Sequence, residues 1–134
     1  MEKPLPIPTP TSKPFWDGLA SHELRIQRCR ACRSFVFYPR VVCPRCLGPD
    51  LDWQVVPGTG TLYTFAICRR PTHPFFADEV PQMLAVVELD EGPRLSSTLV
   101  EVKEEEIRVG MRVEPVFQDV AGKGVTLLRY RPAR

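Results

Sequence analysis

A mainly β fold in two units behind one short helix is what this chain of 134 residues predicts. Three observations predict it. Two Cys-x2-Cys pairs, Cys29 with Cys32 and Cys43 with Cys46, stand ten residues apart and enclose an aromatic, β-branched run. Beyond Pro57 come five further strand-like runs, punctuated by Gly, Pro and Asp. Pro4, Pro6, Pro8, Pro10 and Pro14 keep helix out of the opening segment and favour an extended, polyproline-like arm.

In chain order, residues 1–25 form this arm and a short helix. The arm is either a disordered tail or a strap that orders on a partner's surface. Ser12 is placed to cap the helix, and Phe15, Trp16 and Leu19 give it one apolar face. His22 follows as a surface or capping residue.

Residues 26–57 form a small antiparallel ribbon. Residues 23–28 and 51–56 alternate polar and apolar, and Phe35-Val36-Phe37-Tyr38 supplies a strand between them. Each cysteine pair can turn a knuckle that points two sulfurs at one ion, so Cys29, Cys32, Cys43 and Cys46 complete a tetrahedral shell. A full thiolate shell leaves no position for water or substrate, and one structural zinc per chain is expected. Iron in the same sulfur site is the alternative metal. A redox Cys-x-x-Cys would open a helix in a βαβ unit, and strand residues stand there instead. The ribbon is too short to bury a core, so zinc, contributing on the order of 10 kcal/mol, should hold it, and chelation should unfold residues 26–57.

Residues 58–134 read as a barrel. Runs at 61–68, 82–89, 95–102, 112–117 and 125–130 form five strands, with a helix-forming segment at 103–109 between the third and fourth. That is the element order of an OB-fold. Met83-Leu84-Ala85-Val86-Val87 is apolar on both faces, so the N-terminal helix, the ribbon or another protein should cover its outer side. Cys68 reads as a small buried hydrophobe.

The formal net charge of +2 falls to about zero once four thiolates and a zinc ion are counted. Residues 25–46 carry Arg25, Arg28, Arg30, Arg33, Arg40 and Arg45 with no acid, whereas 78–106 are strongly acidic. The arginines either offset the zinc–thiolate charge or form an anion site. No apolar stretch reaches membrane-spanning length and no signal-peptide core is present, so a cytoplasmic protein without a membrane partner is expected. Thiols reserved for metal agree with a reducing compartment. Catalytic equipment is not evident: His22 and His73 lie far apart, outside any nucleophile motif, and no Gly-rich phosphate loop occurs.

Several ordered segments resemble one family. They are Lys13-Pro14-Phe15-Trp16-Asp17-Gly18-Leu19, Cys29-Arg30-Ala31-Cys32, Phe37-Tyr38-Pro39-Arg40, Cys43-Pro44-Arg45-Cys46, Val86-Val87-Glu88-Leu89-Asp90-Glu91-Gly92 and Ile107-Arg108-Val109-Gly110-Met111-Arg112-Val113. The set is similar to the proteins with a rubredoxin-like zinc ribbon and an OB-fold that accompany thiolases and related acyl-CoA enzymes. The resemblance implies a non-catalytic accessory subunit, bound to a thiolase-like enzyme in a hetero-oligomer, that stabilises its partner and helps to seat coenzyme A. One departure is notable: after the second cysteine of each pair, where a knuckle often has glycine, stand Arg33 and Leu47.

Coenzyme A presents phosphates and an adenine, for which Arg40, Arg69 and Arg70 are the candidate ligands. Phe15 and Trp16 on the helix, and His73, Phe75 and Phe76 in the loop after Arg70, are the candidate partner interface. The competing function is a zinc ribbon and OB-fold that binds single-stranded nucleic acid, supported by Phe35, Phe37, Tyr38 and the nearby arginines. Near-zero charge and the acids Glu88, Asp90 and Glu91 weigh against it.

Overall fold

A computed structural model describes residues 4–133. The arm is extended from Pro4, with Leu5 and Pro6 half-buried and Ile7 88% exposed; its first three residues lie outside the described part. Helix α1 (Lys13–Ala20) follows, with Pro14 in the first turn, where a missing N–H costs nothing. Ser12 occupies the N-cap position but does not cap. Its hydroxyl turns back and accepts from the Thr9 N–H at 2.9 Å and the Thr9 hydroxyl at 3.0 Å, pinning arm to helix.

The ribbon consists of β1 (Leu24–Cys29), β2 (Phe35–Val36) and β3 (Leu51–Val56) in the order β2-β1-β3. β1 and β3 pair along their whole length, from Leu24 opposite Val56 to Cys29 opposite Leu51. β2 is two residues shorter than the expected run. Phe37 and Tyr38 leave the sheet to meet α1, their rings 5.5 and 6.0 Å from that of Phe15, and the Trp16 indole donates to Tyr38 Oη at 3.3 Å.

Five strands make the second sheet: β4 (Gly60–Cys68), β5 (Gln82–Leu89), β6 (Arg94–Thr98), β7 (Arg112–Val120) and β8 (Val125–Pro132), ordered β6-β5-β4-β7-β8. β6 ends before the expected residue 102 because Leu99 crosses to a parallel bridge with Tyr130, which closes the barrel. The expected helix over 103–109 is a single 3-10 turn, Glu104–Glu106, closed by the Lys103 N–H on the Glu106 carboxylate at 2.8 Å. Ile107 must enter the core at once, and it is buried.

One apolar core runs through both sheets. Phe15 and Leu19 of α1, and Leu24, Ile26 and Val56 of the ribbon base, join barrel residues such as Leu62, Val87 and Tyr130. The ribbon tip has its own small cluster, Cys29, Val36 and Cys43 against Leu51. The join between the sheets requires glycine: Gly58 has φ +78°, and a Cβ there would lie 2.7 Å from Leu24 Cδ2. On β5, Ala85, Val87 and Leu89 point inward. α1 packs on β1 and β8 instead of covering the outer side of β5, and Leu84 remains 40% exposed. No helix among the described residues is long and apolar enough to cross a membrane.

Candidate metal centre and the surfaces around it

β1 delivers Cys29 at its end, and the following turn delivers Cys32; Cys43 and Cys46 come from an equivalent turn between β2 and β3. The two knuckles share one hydrogen-bond pattern. The Arg33 N–H donates to Cys29 O at 2.8 Å, and the Leu47 N–H to Cys43 O at 2.8 Å. The Cys29 N–H reaches Ser34 O at 2.9 Å, and the Cys43 N–H reaches Gly48 O at 2.8 Å. Arg33 and Leu47 both have φ +65°, so each non-glycine residue adopts the left-handed conformation that glycine would take there without a Cβ clash.

All four Sγ atoms lie within 4.8 Å of one another, with Cys29 to Cys46 at 3.5 Å and Cys32 to Cys43 at 3.6 Å. A tetrahedral zinc with bonds of about 2.3 Å needs sulfurs about 3.8 Å apart, so the donor set fits. Cys29 and Cys43 are buried, whereas Cys32 and Cys46 face outward. The Ser34 hydroxyl and backbone stabilise the Cys32 thiolate and bring its pKa down to about 6. At Cys46 the Gly48 backbone favours the thiolate, but the Cys29 sulfur and burial outweigh it and push the pKa up to about 11. A cation is what allows all four to ionise together. This is the arrangement of a structural zinc ribbon.

Around the tip, Arg30 pairs with Asp50 at 3.6 Å and Asp52 at 3.4 Å, and Arg28 lies over the Phe35 ring at 4.7 Å. That covers one of the rings on which a nucleotide base could stack, and Phe37 is packed against the core. Buried Gln27 holds the backbone of Arg40 by two bonds, Nε2 to O at 2.8 Å and N to Oε1 at 2.7 Å, and leaves the Arg40 side chain exposed.

The other candidate residues are placed as follows. Arg69 is ion-paired with Glu104, and Arg70 is exposed in the loop after β4, its carbonyl accepting the Cys68 thiol at 2.9 Å. Cys68 is half-buried, not fully buried as expected, because it lies at the strand end beside this loop. His73 caps a 3-10 helix, Pro74–Glu79, its Nδ1 accepting from the Phe75 N–H at 3.2 Å. Phe75 and Phe76 are half-buried, and Phe76 lines a groove together with Leu5 of the arm. Phe15 corrects the interface expectation: only 4% exposed, it belongs to the chain's own core, and Trp16 alone of that pair is half-buried at the surface. His22 stacks on Phe117 and meets Asp119 at 2.9 Å, which joins the helix end to β7. The grooves of the surface are lined by other arginines, Arg28, Arg33 and Arg45 near the tip and Arg94 and Arg129 on the barrel. Sequence reasoning missed the barrel pair because strand pairing, not spacing, brings them to one place.

Two family models match adjoining parts of the chain: the rubredoxin-like zinc ribbon domain of ChsH2 over residues 16–52 and its C-terminal OB-fold domain over 53–118. A DUF35 domain-containing scaffold protein of Methanothermobacter thermautotrophicus is 32% identical over 104 residues, which cover 77% of each chain. The chain belongs to the DUF35 family. A solved DUF35 relative, a chain described as Ltp2-ChsH2(DUF35) aldolase, superposes with a TM-score of 0.85 at 34% identity, covering 97% of this chain and 100% of that one. A probable enoyl-CoA hydratase alpha subunit of Thermomonospora curvata is 38% identical over 122 residues, 89% of this chain but 37% of the hydratase subunit. This DUF35 chain therefore spans little more than a third of that relative's length.

Proposed function

We propose that this chain is a non-catalytic accessory subunit of a thiolase-fold or related acyl-CoA enzyme, which it stabilises and for which it helps to seat coenzyme A. The observation that carries the reading is the end-to-end likeness to the DUF35 chain of an aldolase named for two components, Ltp2 and ChsH2. The chemistry agrees. Four thiolates saturate a metal and leave no Lewis-acid position, and acyl transfer needs an activated nucleophile with its base and oxyanion donors. Both histidines are engaged in structural contacts, His22 with Asp119 and His73 with the Phe75 N–H. A larger partner would supply the reacting groups, in the cytoplasm where thiols stay reduced.

Exposed Arg40 and Arg70, with Arg69 able to exchange Glu104 for a phosphate, are the proposed coenzyme A contacts. Trp16, His73, Phe75 and Phe76 are the proposed docking residues. Affinity purification from the native cell should recover a larger thiolase-like protein whose acyl-CoA turnover drops when this chain is removed. Recovery of the chain alone, or turnover of a thioester by the isolated chain, refutes the reading. Arg40→Gln and Arg69→Gln complexes that bind acyl-CoA as tightly as the wild type remove the ligand assignment while leaving the accessory role standing.

A further inference from the structure

Two knuckle positions carry side chains that the fold does not use. Arg33 and Leu47 both hold the left-handed backbone at φ +65°, which strains any residue with a β-carbon, and both side chains stand in solvent. Strain kept at two equivalent positions without packing in return points to a use outside the chain. The segment that carries the second knuckle extends the pattern. Val41 is 72% exposed and Leu47 74%, and Tyr38 and Val42 are exposed as well, so four large apolar side chains of residues 38–47 face water on a metal-held turn. Exposed apolar side chains gathered in this way mark a contact surface.

The polar groups among them are donors. Arg25 and Arg30 of the ribbon are ion-paired, with Glu23 and with Asp50 and Asp52. Arg28, Arg33, Arg40 and Arg45 are in no ion pair among the described residues; Arg28 donates to the Arg33 carbonyl at 2.9 Å and Arg45 to the Ser34 hydroxyl at 3.5 Å. Arg28, Arg33 and Arg45 line one groove, where Glu91 is the one carboxylate and has its Oε1 buried. A guanidinium only donates, and Tyr38 Oη, which already accepts the Trp16 N–H, keeps its own proton to give. A surface that complements the tip must therefore bring acceptors.

Carboxylates and phosphates are both acceptors, and the apolar groups decide between them. A nucleic-acid strand needs ring faces for its bases, but Arg28 covers Phe35 and Phe37 packs on the core. The exposed aliphatic groups Val41, Val42 and Leu47 offer no stacking and suit the apolar centre of a protein interface, with arginines at its rim.

We propose that the zinc tip, through Tyr38, Val41, Val42 and Leu47 with Arg33 and Arg45, docks on a segment of the enzyme partner in which Asp or Glu side chains flank aliphatic ones. The proposal rests on the accessory-subunit reading and adds a contact on a different element from His73, Phe75 and Phe76. Arg40 is not needed for it, so it is independent of the coenzyme A assignment.

The test uses the full, zinc-loaded chain to recover the larger protein from extract of the native cell, with and without nuclease. Arg33→Lys and Arg45→Lys keep the charge and place an amine at the tip, which a carbodiimide joins to a neighbouring carboxylate as an amide with loss of water. Peptide mapping should find position 33 or 45 joined to Asp or Glu of the larger protein. Leu47→Asp and Arg45→Glu should each weaken binding of the isolated partner about tenfold or more, and salt should weaken the wild type. Zinc content of the variants separates a lost contact from a lost fold, and the lysine coupling decides if either variant fails to bind zinc. Coupling to a second copy of this chain, loss of the larger protein on nuclease treatment, or unchanged partner affinity in Leu47→Asp and Arg45→Glu overturns the proposal and leaves the accessory reading standing. Recovery of no larger protein by the wild type overturns both.

Discussion

Tyr130 donates its phenolic hydroxyl to the carbonyl of Gly58 at 2.7 Å, which ties the last barrel strand to the join between the two sheets. Tyr130 is fully buried, and burial raises its phenol pKa above the ordinary value, so the hydroxyl stays a donor throughout the working pH range. Tyr130→Phe would leave a carbonyl beside the core without its partner. A loss of about 1–3 kcal/mol is expected, measured by urea unfolding of the zinc-loaded chain. An unchanged midpoint would mean that this bond does not hold the join.

Leu47 is 74% exposed and held at φ +65° by its knuckle, so its side chain contributes strain with little packing in return. The left-handed conformation costs a β-carbon-bearing residue about 1–2 kcal/mol, against about 0.5–1 kcal/mol for the greater flexibility of unfolded glycine. Leu47→Gly should therefore raise stability by up to about 1 kcal/mol, and zinc affinity in proportion. A competitive titration with a chromogenic chelator checks it, and weakened binding would contradict the strain.

Glu91 gives a pH-dependent term. Its Oε1 is buried with no hydrogen-bond partner among the described residues, and desolvation raises its pKa above 4.5, with Asp90 adding repulsion. A carboxyl whose folded pKa exceeds its unfolded one binds more protons when folded. Its favourable contribution is present below the unfolded value and is lost as pH rises through the folded one. Glu91→Gln should accordingly stabilise the chain at neutral pH, with the advantage shrinking as pH falls toward 4.5. Melting curves across that range test it, and a gain independent of pH would sink the assignment.

Metal removal should act unevenly. The tip depends on the zinc-centred cluster of Cys29, Val36 and Cys43, but Leu24, Ile26 and Val56 are anchored in the common core. Chelation should release amide protection across residues 29–51 while β1 near Leu24 and the barrel retain theirs, as hydrogen exchange would report. Because Cys46 must give up its proton, affinity should also fall as pH drops, by about tenfold per unit for each thiol that reprotonates. Loss of protection in β4 to β8 on chelation would show that the metal supports more than the tip.

Much of this architecture could be read along the chain. The ligands Cys29, Cys32, Cys43 and Cys46 were legible because a knuckle is a local structure, built within four residues and independent of what lies far away. Strands such as Leu51–Val56 and Gln82–Leu89 were legible to the residue, the first from its alternating polar and apolar side chains and the second from its apolar, β-branched run. Phe15 was not. Its apolar face marked a helix that must bury something, but an amphipathic helix looks the same whether it buries that face against its own barrel or a partner. Phe37 and Tyr38 continued the strand pattern, yet their contact with Phe15 ended β2 at Val36, a choice made by tertiary packing over local propensity.

The sequence by itself determined the metal ligands, the element order and the mainly β character, all consequences of interactions between near neighbours. Only the tertiary structure decided that ribbon and barrel share one core, that Arg69 meets Glu104, and that Arg129 bonds Gln118 and Thr98. These depend on residues dozens of positions apart, such as Thr98 and Arg129, which meet because the barrel closes between β6 and β8. Charge and burial are properties of that enclosed space, and spacing along the chain does not encode them.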